Sequence, residues 1–189
     1  MLIINVKSQD QESNSISIIC YGAVGDGKTL NTQSIQKAID ACSASGGGTV
    51  YIPAGKYLSG TIILKNNVTL FIDKGGVLLG SANINDYPEI ISTYRFYGDE
   101  WVKQSLIFSE NSENIGVTGG GVIDGQGSAF KVTTKQKPDM YRNRPYIIRF
   151  IKCRNISVDN ISMQNSAMWM QHYLACDYRY IKDWYPTKY

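Results

Sequence analysis

Three short segments, Asn67-Val-Thr-Leu, Asn114-Ile-Gly-Val and Asn155-Ile-Ser-Val, share one pattern: asparagine, a β-branched residue, a small residue, an aliphatic residue. A degraded fourth copy begins at Tyr178 (Tyr-Arg-Tyr-Ile), 23 residues after Asn155. The 47-residue gap between the first two reads as two periods of about this length. The 41-residue gap between the next two reads as one period plus an insertion, supplied by the polar stretch 127–145. A period in this range marks a solenoid, in which each repeat buries its apolar face against its neighbours. The runs between the corners are short and β-rich, such as Thr49-Val-Tyr-Ile, Gly60-Thr-Ile-Ile-Leu and Tyr146-Ile-Ile-Arg-Phe. They suit a coil that lays each strand parallel to the strand below, about 4.8 Å away. Like residues then stack, so Cys153 and Cys176 are expected in one inward column with Ser112 beneath Cys153. A β-sandwich also has regular short strands, but it needs hairpin turns of the Asn-Gly kind, and no Asn-Gly occurs.

The chain has 189 residues, 43% of them hydrophobic, which excludes a disordered polymer; folding at this length removes roughly 70% of the unfolded surface from water. No apolar run reaches the roughly 20 residues of a membrane helix. A net charge of +3 gives no footprint for nucleic acid, and the one basic cluster, Lys131, Lys135 and Lys137, reads as a solvated loop. The four cysteines lie far apart and there is a single histidine, which argues against zinc; buried free thiols are the expectation. Ile35, Ala38, Ile39 and Cys42 recur at helical spacing after the N-cap candidates Asn31 and Thr32, and Ser45-Gly-Gly-Gly ends the run. This one helix, about 32–42, is placed to cap the first coil, whose core and strand edges would otherwise be open. Residues 1–15 read as a flexible segment without a basic n-region or a secretory-length apolar stretch. The aromatic tail after Lys182 reads as exposed coil.

Further motifs carry a resemblance. Tyr21-Gly-Ala-Val-Gly-Asp-Gly-Lys-Thr, Ile35-Gln-Lys-Ala-Ile-Asp-Ala-Cys and Gly46-Gly-Gly-Thr-Val-Tyr-Ile-Pro-Ala-Gly-Lys-Tyr together resemble the N-terminal signature of pectin-active β-helix enzymes. Gly119-Gly-Gly-Val-Ile-Asp-Gly-Gln-Gly, Arg144-Pro-Tyr-Ile-Ile-Arg-Phe and Asn165-Ser-Ala-Met-Trp-Met-Gln-His-Tyr-Leu-Ala-Cys resemble glycoside hydrolase family 28, the polygalacturonases and rhamnogalacturonases. The motifs keep their order over residues 16 to about 177. The resemblance implies a right-handed parallel β-helix and inverting hydrolysis of galacturonic-acid linkages in pectin. It also implies a pectic polysaccharide partner (polygalacturonate or rhamnogalacturonan), no cofactor, and a secreted or periplasmic setting.

That chemistry needs two carboxyl groups about 6.5–9.5 Å apart, one protonating the leaving oxygen and one activating water. In the family they follow the Trp-x-x-His strand as an Asn-x-Asp and an Asp-Asp pair, with a Gly-His-Gly and an Arg-x-Lys beyond. None of these occurs after Cys176, so no catalytic residue is assigned and the chain is expected to be inactive alone. Asp99-Glu100 lies in an irregular segment; Asp124 and Asp159 read as turn residues bonding local backbone; Asp177 and Asp183 have no defined partner. Met168, Trp169, Gln171 and His172, on the strand before the expected catalytic one, are the substrate-cleft candidates. For His172 a place stacked in the solenoid wall is the competing reading, and for Trp169 burial under a loop. Gly22-x-x-Gly-x-Gly lacks the β-α-β context of a dinucleotide loop, and Gly25-Asp-Gly-Lys-Thr lacks P-loop spacing. No metal-binding cluster is visible, which ranks a calcium-dependent pectate lyase last.

The expected architecture is therefore all-β: one N-terminally capped parallel β-helix over 16–189, of roughly half a dozen coils, cut short at its C-terminal end. The alternative to a hydrolase portion is a non-catalytic carbohydrate-binding or assembly module, with self-association through the open last coil.

Overall fold

The computed structural model describes residues 14–94, 102–137 and 139–186. Every strand pairing in it is parallel, and the chain winds through the same three faces again and again. The first coil consists of β1 (Ser15–Ser17), β2 (Asp26–Leu30) and, in place of a third strand, the helix α1 (Thr32–Ala44). The second has β3 (Gly48–Ile52), β4 (Gly55–Ser59) and β5 (Ile62–Ile63), and the third β6 (Val68–Ile72), β7 (Gly76–Gly80) and β8 (Ser105–Glu110). Then come β9 (Glu113–Thr118), β10 (Val122–Asp124) and β11 (Tyr146–Ile151). In the fifth coil β12 (Arg154–Gln164) runs through the first two faces and β13 (Gln171–Leu174) takes the third, and β14 (Asp177–Pro186) begins a sixth.

Alternation along each strand sends every second side chain inward, and the parallel register stacks those side chains into columns. Val50, Leu70, Val117 and Val158 form one column, all fully buried. Tyr57, Leu78, Ile123 and Met163 form the second, and Ile62, Ile107 and Ile148 the third. Each such side chain contributes about 1.5–3 kcal/mol through burial, so the core is distributed along the axis rather than gathered at a centre.

The helix stands where the expected cap was placed, two residues longer, and buries Ile35, Ala38, Ile39 and Cys42. It also closes a strand edge. The Gln36 side chain accepts from Ile63 N (2.8 Å) and donates to Ile63 O (3.1 Å), so its amide acts as the rung that β5 lacks below it. Asn31 occupies the N-cap position without capping; its side chain holds the Val24 backbone (2.7 and 3.0 Å) and Thr29 O instead. Gly48, at the end of the glycine run, has φ +139°, and a Cβ there would lie 2.1 Å from Asn14 O.

Four expectations change. Asn67 and Asn114 are hydrogen-bonded neighbours (2.7 Å) and Thr69 pairs directly with Gly116, so the 47-residue gap is one coil carrying a long excursion between β7 and β8, not two coils. The 41-residue gap is one coil with the excursion 127–145, as expected. The tail as far as Pro186 pairs in register with β12 and is strand, because its backbone finds a full row of partners there. Ser15 already belongs to β1, so the boundary drawn at 16 falls inside a strand, while residues 1–13 lie outside the described residues. Cys20 is exposed, whereas Cys42 and Cys153 are buried and Cys176 half-buried, all as free thiols.

Candidate functional site

The third face, β5–β8–β11–β13, carries the most chemically varied outer column: Ile63, Phe108, Arg149 and His172 in successive rungs. Arg149 is fully buried although it points away from the core columns. Its Nη1 donates to Ile90 O (3.0 Å) and Lys103 O (3.4 Å), and its guanidinium lies 5.5 Å from the Phe108 ring centre. Thus the excursion between β7 and β8 folds over this face and is pinned to it by an arginine. Further ties hold it: Ser92 donates to Glu110 (2.7 Å), Lys152 lies over the Tyr94 ring (4.9 Å), and the buried Tyr87 hydroxyl donates to Ser81 O (2.7 Å). Burial and the neighbouring Asp86 push the Tyr87 phenol up, so it stays a donor at any ordinary pH. The sequence signal for Arg149 was its isolation in the apolar strand Tyr146-Ile-Ile-Arg-Phe-Ile, where a charge needs a special partner.

At the far end of the column three rings meet. His172 stacks on Tyr146 (5.2 Å between ring centres, 8° between planes), and Trp169 tilts against both at 5.8 and 5.9 Å. Tyr146 and His172 are buried, but Trp169 is 50% exposed, so the burial reading for Trp169 fails. Gln171 is turned into the wall: it lies opposite Ile148, accepts from the Tyr173 hydroxyl (2.7 Å) and approaches the Met163 sulfur (3.8 Å). Met168 is half-buried. Of the four cleft candidates the fold brings Trp169 and His172 into one aromatic group, with Tyr146 as a member that the sequence reading did not single out.

The carboxylates serve the frame. Asp124 accepts from Gln126 N (2.9 Å), from Gln164 Nε2 (2.8 Å) and from Asn165 Nδ2 (3.1 Å), tying β10 to the next coil. Asp159 accepts from Ser157 (2.6 Å) and Thr118 (2.5 Å). Asp177 is exposed on β14, to which Asp183 also belongs; Asp99 and Glu100 lie outside the described residues. No group of three or more His, Cys, Asp or Glu suited to a metal occurs among the described residues, and no helix there is long and apolar enough to cross a membrane. Cys153 and Cys176 stand one above the other as expected, with Ser112 O accepting from Arg154 N one rung below. The Cys176 thiol is pushed up by its hydrogen bond to Cys153 and by burial.

A three-faced parallel coil, its face of aromatic and arginine side chains, and its helix cap together match a known architecture. The family model described as rhamnogalacturonase A/epimerase, pectate lyase-like, matches residues 15–177. The chain belongs to that family. Its curated relatives include a probable polygalacturonase of Vitis vinifera, 36% identical over 169 residues (85% of this chain, 34% of that protein). An exo-poly-alpha-D-galacturonosidase of Dickeya chrysanthemi is 38% identical over 162 residues (80% and 26%). A plasmin and fibronectin-binding protein A of Streptococcus pneumoniae is 31% identical over 157 residues (82% and 21%). Among solved structures, a hyperthermoactive exopolygalacturonase from Thermotoga maritima superposes with a TM-score of 0.75 at 25% identity, covering 90% of this chain and 46% of that one. The fold is a right-handed parallel β-helix of the polygalacturonase kind, and the chain spans about a third or less of the length of these curated relatives.

Proposed function

We propose that this chain forms the cap and first coils of a polygalacturonase-like hydrolase acting on pectic polysaccharide, and that it does not cleave the polymer by itself. The observation that carries the second half is the use of two of its carboxylates in the frame: Asp124 accepts from Gln126, Gln164 and Asn165, and Asp159 from Ser157 and Thr118, so each ties its strand to a neighbouring coil. Inverting hydrolysis needs an acid and a base about 6.5–9.5 Å apart with room for water between them, and a carboxylate spent on framework hydrogen bonds is a poor candidate for either. The exposed Trp169, beside His172 and Tyr146, is the stacking platform for a sugar ring along the third face. His172 is its ring neighbour; Met168 and Gln171 complete the cleft candidates, Gln171 being turned towards Tyr173 and Met163.

The purified chain is expected to release no reducing ends from polygalacturonate. Dose-dependent hydrolysis would overturn the proposal and direct the search to Asp99, Glu100 and Asp124.

A second reading, a non-catalytic binding or assembly module, is favoured by the likeness to the plasmin and fibronectin-binding protein. It predicts retention on immobilised fibronectin or plasmin in place of polygalacturonate. In either case β13 has one paired edge among the described residues, and self-association by edge pairing between two copies is the expected result on sizing.

A further inference from the structure

Three successive coils turn from the third face to the first at a residue in the left-handed region: Asn111 (φ 54°), Lys152 (φ 50°) and Ala175 (φ 51°). The residue after each turn joins one column, Ser112, Cys153 and Cys176, of which Cys153 is fully buried and Cys176 half-buried against the core. The two thiols are held in register from both sides, because Lys152 N donates to Leu174 O (2.8 Å) and Asp177 N to Cys153 O (3.0 Å). Rungs of a parallel sheet lie about 4.8 Å apart, inside the roughly 4.4–6.8 Å range of Cα separations that a disulfide spans. The thiols already touch, joined by a hydrogen bond between their sulfurs. That bond, outweighing burial, lowers the Cys153 thiol with further help from the Ser112 backbone and the Ser109 hydroxyl, and the same bond raises Cys176. The pair therefore gives up its first proton more readily than an isolated thiol. A buried thiol is ordinarily inert packing, but two in contact, with one reaching the surface, form a reactive dithiol. Neither remaining thiol competes, since Cys20 and Cys42 belong to the first coil, on the order of 14 Å or more away along the axis.

We propose that Cys153 and Cys176 are a redox-sensitive staple: hydrogen peroxide joins them in a disulfide that closes the fifth coil on itself and fixes β14 to β12. The sulfur anion of the pair reacts at Cys176, the thiol with solvent contact. It attacks one peroxide oxygen, the O–O bond breaks, and a sulfenic acid forms while hydroxide leaves and is protonated to water. The Cys153 sulfur then attacks the Cys176 sulfur; the S–S bond forms, the S–O bond breaks, and hydroxide leaves as a second water. Two thiols lose two electrons and two protons, and one peroxide becomes two waters. The ring so closed encloses one complete coil, residues 153–176, and removes freedom from the unfolded chain. This inference is independent of the pectic reading, because it requires no polysaccharide.

The test is to treat the reduced full chain with hydrogen peroxide, denature it in iodoacetamide, and measure the intact mass and the linked peptides. The chain has four cysteines, so four alkyl groups are expected before oxidation and two after, with Cys153 joined to Cys176 and all four thiols restored by dithiothreitol. The oxidised chain is expected to melt roughly 5–10 °C higher and to be cut more slowly by protease within β14. Cys20→Ser is expected to behave as the parent. Cys153→Ser disturbs a packed column, so the half-buried Cys176→Ser is the deciding variant, and it is expected to form no intramolecular disulfide and to show neither the thermal shift nor the protection. Four alkylated thiols after peroxide, oxidation that ends in sulfinic acid, or a linkage through Cys20 or Cys42 overturns the staple. A Cys153–Cys176 disulfide that leaves both melting and cleavage unchanged overturns its hold on β14.

Discussion

Asn67, Asn114 and Asn155 sit at the same corner of successive coils with φ of 61°, 54° and 49°; the Asn114 amide donates to Asn67 Oδ1 and the Asn155 amide to Asn114 Oδ1, both at 2.7 Å. Asparagine suits the site twice over, because it tolerates the left-handed region and brings a donor and an acceptor to the stack. Replacing Asn114 by Ala is expected to cost about 2 kcal/mol, most of it from the backbone, since the two hydrogen bonds are solvent-exposed. Asn114→Gly relieves the backbone and separates the two contributions; urea unfolding of both variants measures them. Asp40 on α1 shows a different balance. Burial, the largest single influence, raises its carboxyl, but the hydrogen bonds from Lys65 (2.7 Å) and Gln36 (2.9 Å) and the Lys65 charge outweigh it and the net shift is downward. A carboxyl lowered in the folded state stabilises above its unfolded value of 3.8 and loses that contribution as pH falls through the lower folded value. Because the pair is nearly half exposed, Asp40→Asn is expected to cost less than about 1 kcal/mol at neutral pH and to flatten the acid limb of a stability–pH curve. The asparagine corners were legible in the sequence because left-handed turns select for residue type locally; the Asp40–Lys65 pairing was not, since it joins a helix to a strand corner 25 positions away.

Elements cap one another by shape as much as by side-chain type. The helix replaces a strand in the first coil, and its Gln36 completes the ladder on β5 with one donor and one acceptor. Gln36→Ala leaves the Ile63 N–H and C=O without that amide. The expected loss is about 1–2 kcal/mol, with a rise in oligomers as the edge becomes available for pairing; denaturant unfolding and light scattering report the two effects. Gln36→Glu keeps the acceptor but not the donor, and it is expected to fall between the two. The helix itself was plain from its periodicity, whereas nothing local distinguishes Gln36 from any other polar helical residue. What selects it is the position of the β5 edge, which is set by packing of the apolar face.

At the scale of the whole molecule, the long excursion between β7 and β8 converts an outer face into an interior. Arg149 bonds two of its backbone carbonyls and lies over Phe108, fully buried. Arg149→Ala is expected to destabilise by about 2–4 kcal/mol and to expose the excursion to limited proteolysis ahead of global unfolding; Arg149→Met, which keeps more of the volume, is expected to recover part of the stability but not the protection. The solenoid, its helix cap, the asparagine corners and the Cys153–Cys176 stack are all legible in the chain before it folds. Each follows from φ/ψ preference or from in-register repetition, and both are written in residue type and spacing. The number of coils and the choice of covered face come instead from contacts between distant segments. A 47-residue interval carries no mark of whether it winds twice or winds once and detours, and the answer lies in which backbone groups meet across the gap. The same holds for Tyr146, Trp169 and His172, whose grouping depends on three rings converging from β11, from β13 and from the loop that precedes β13.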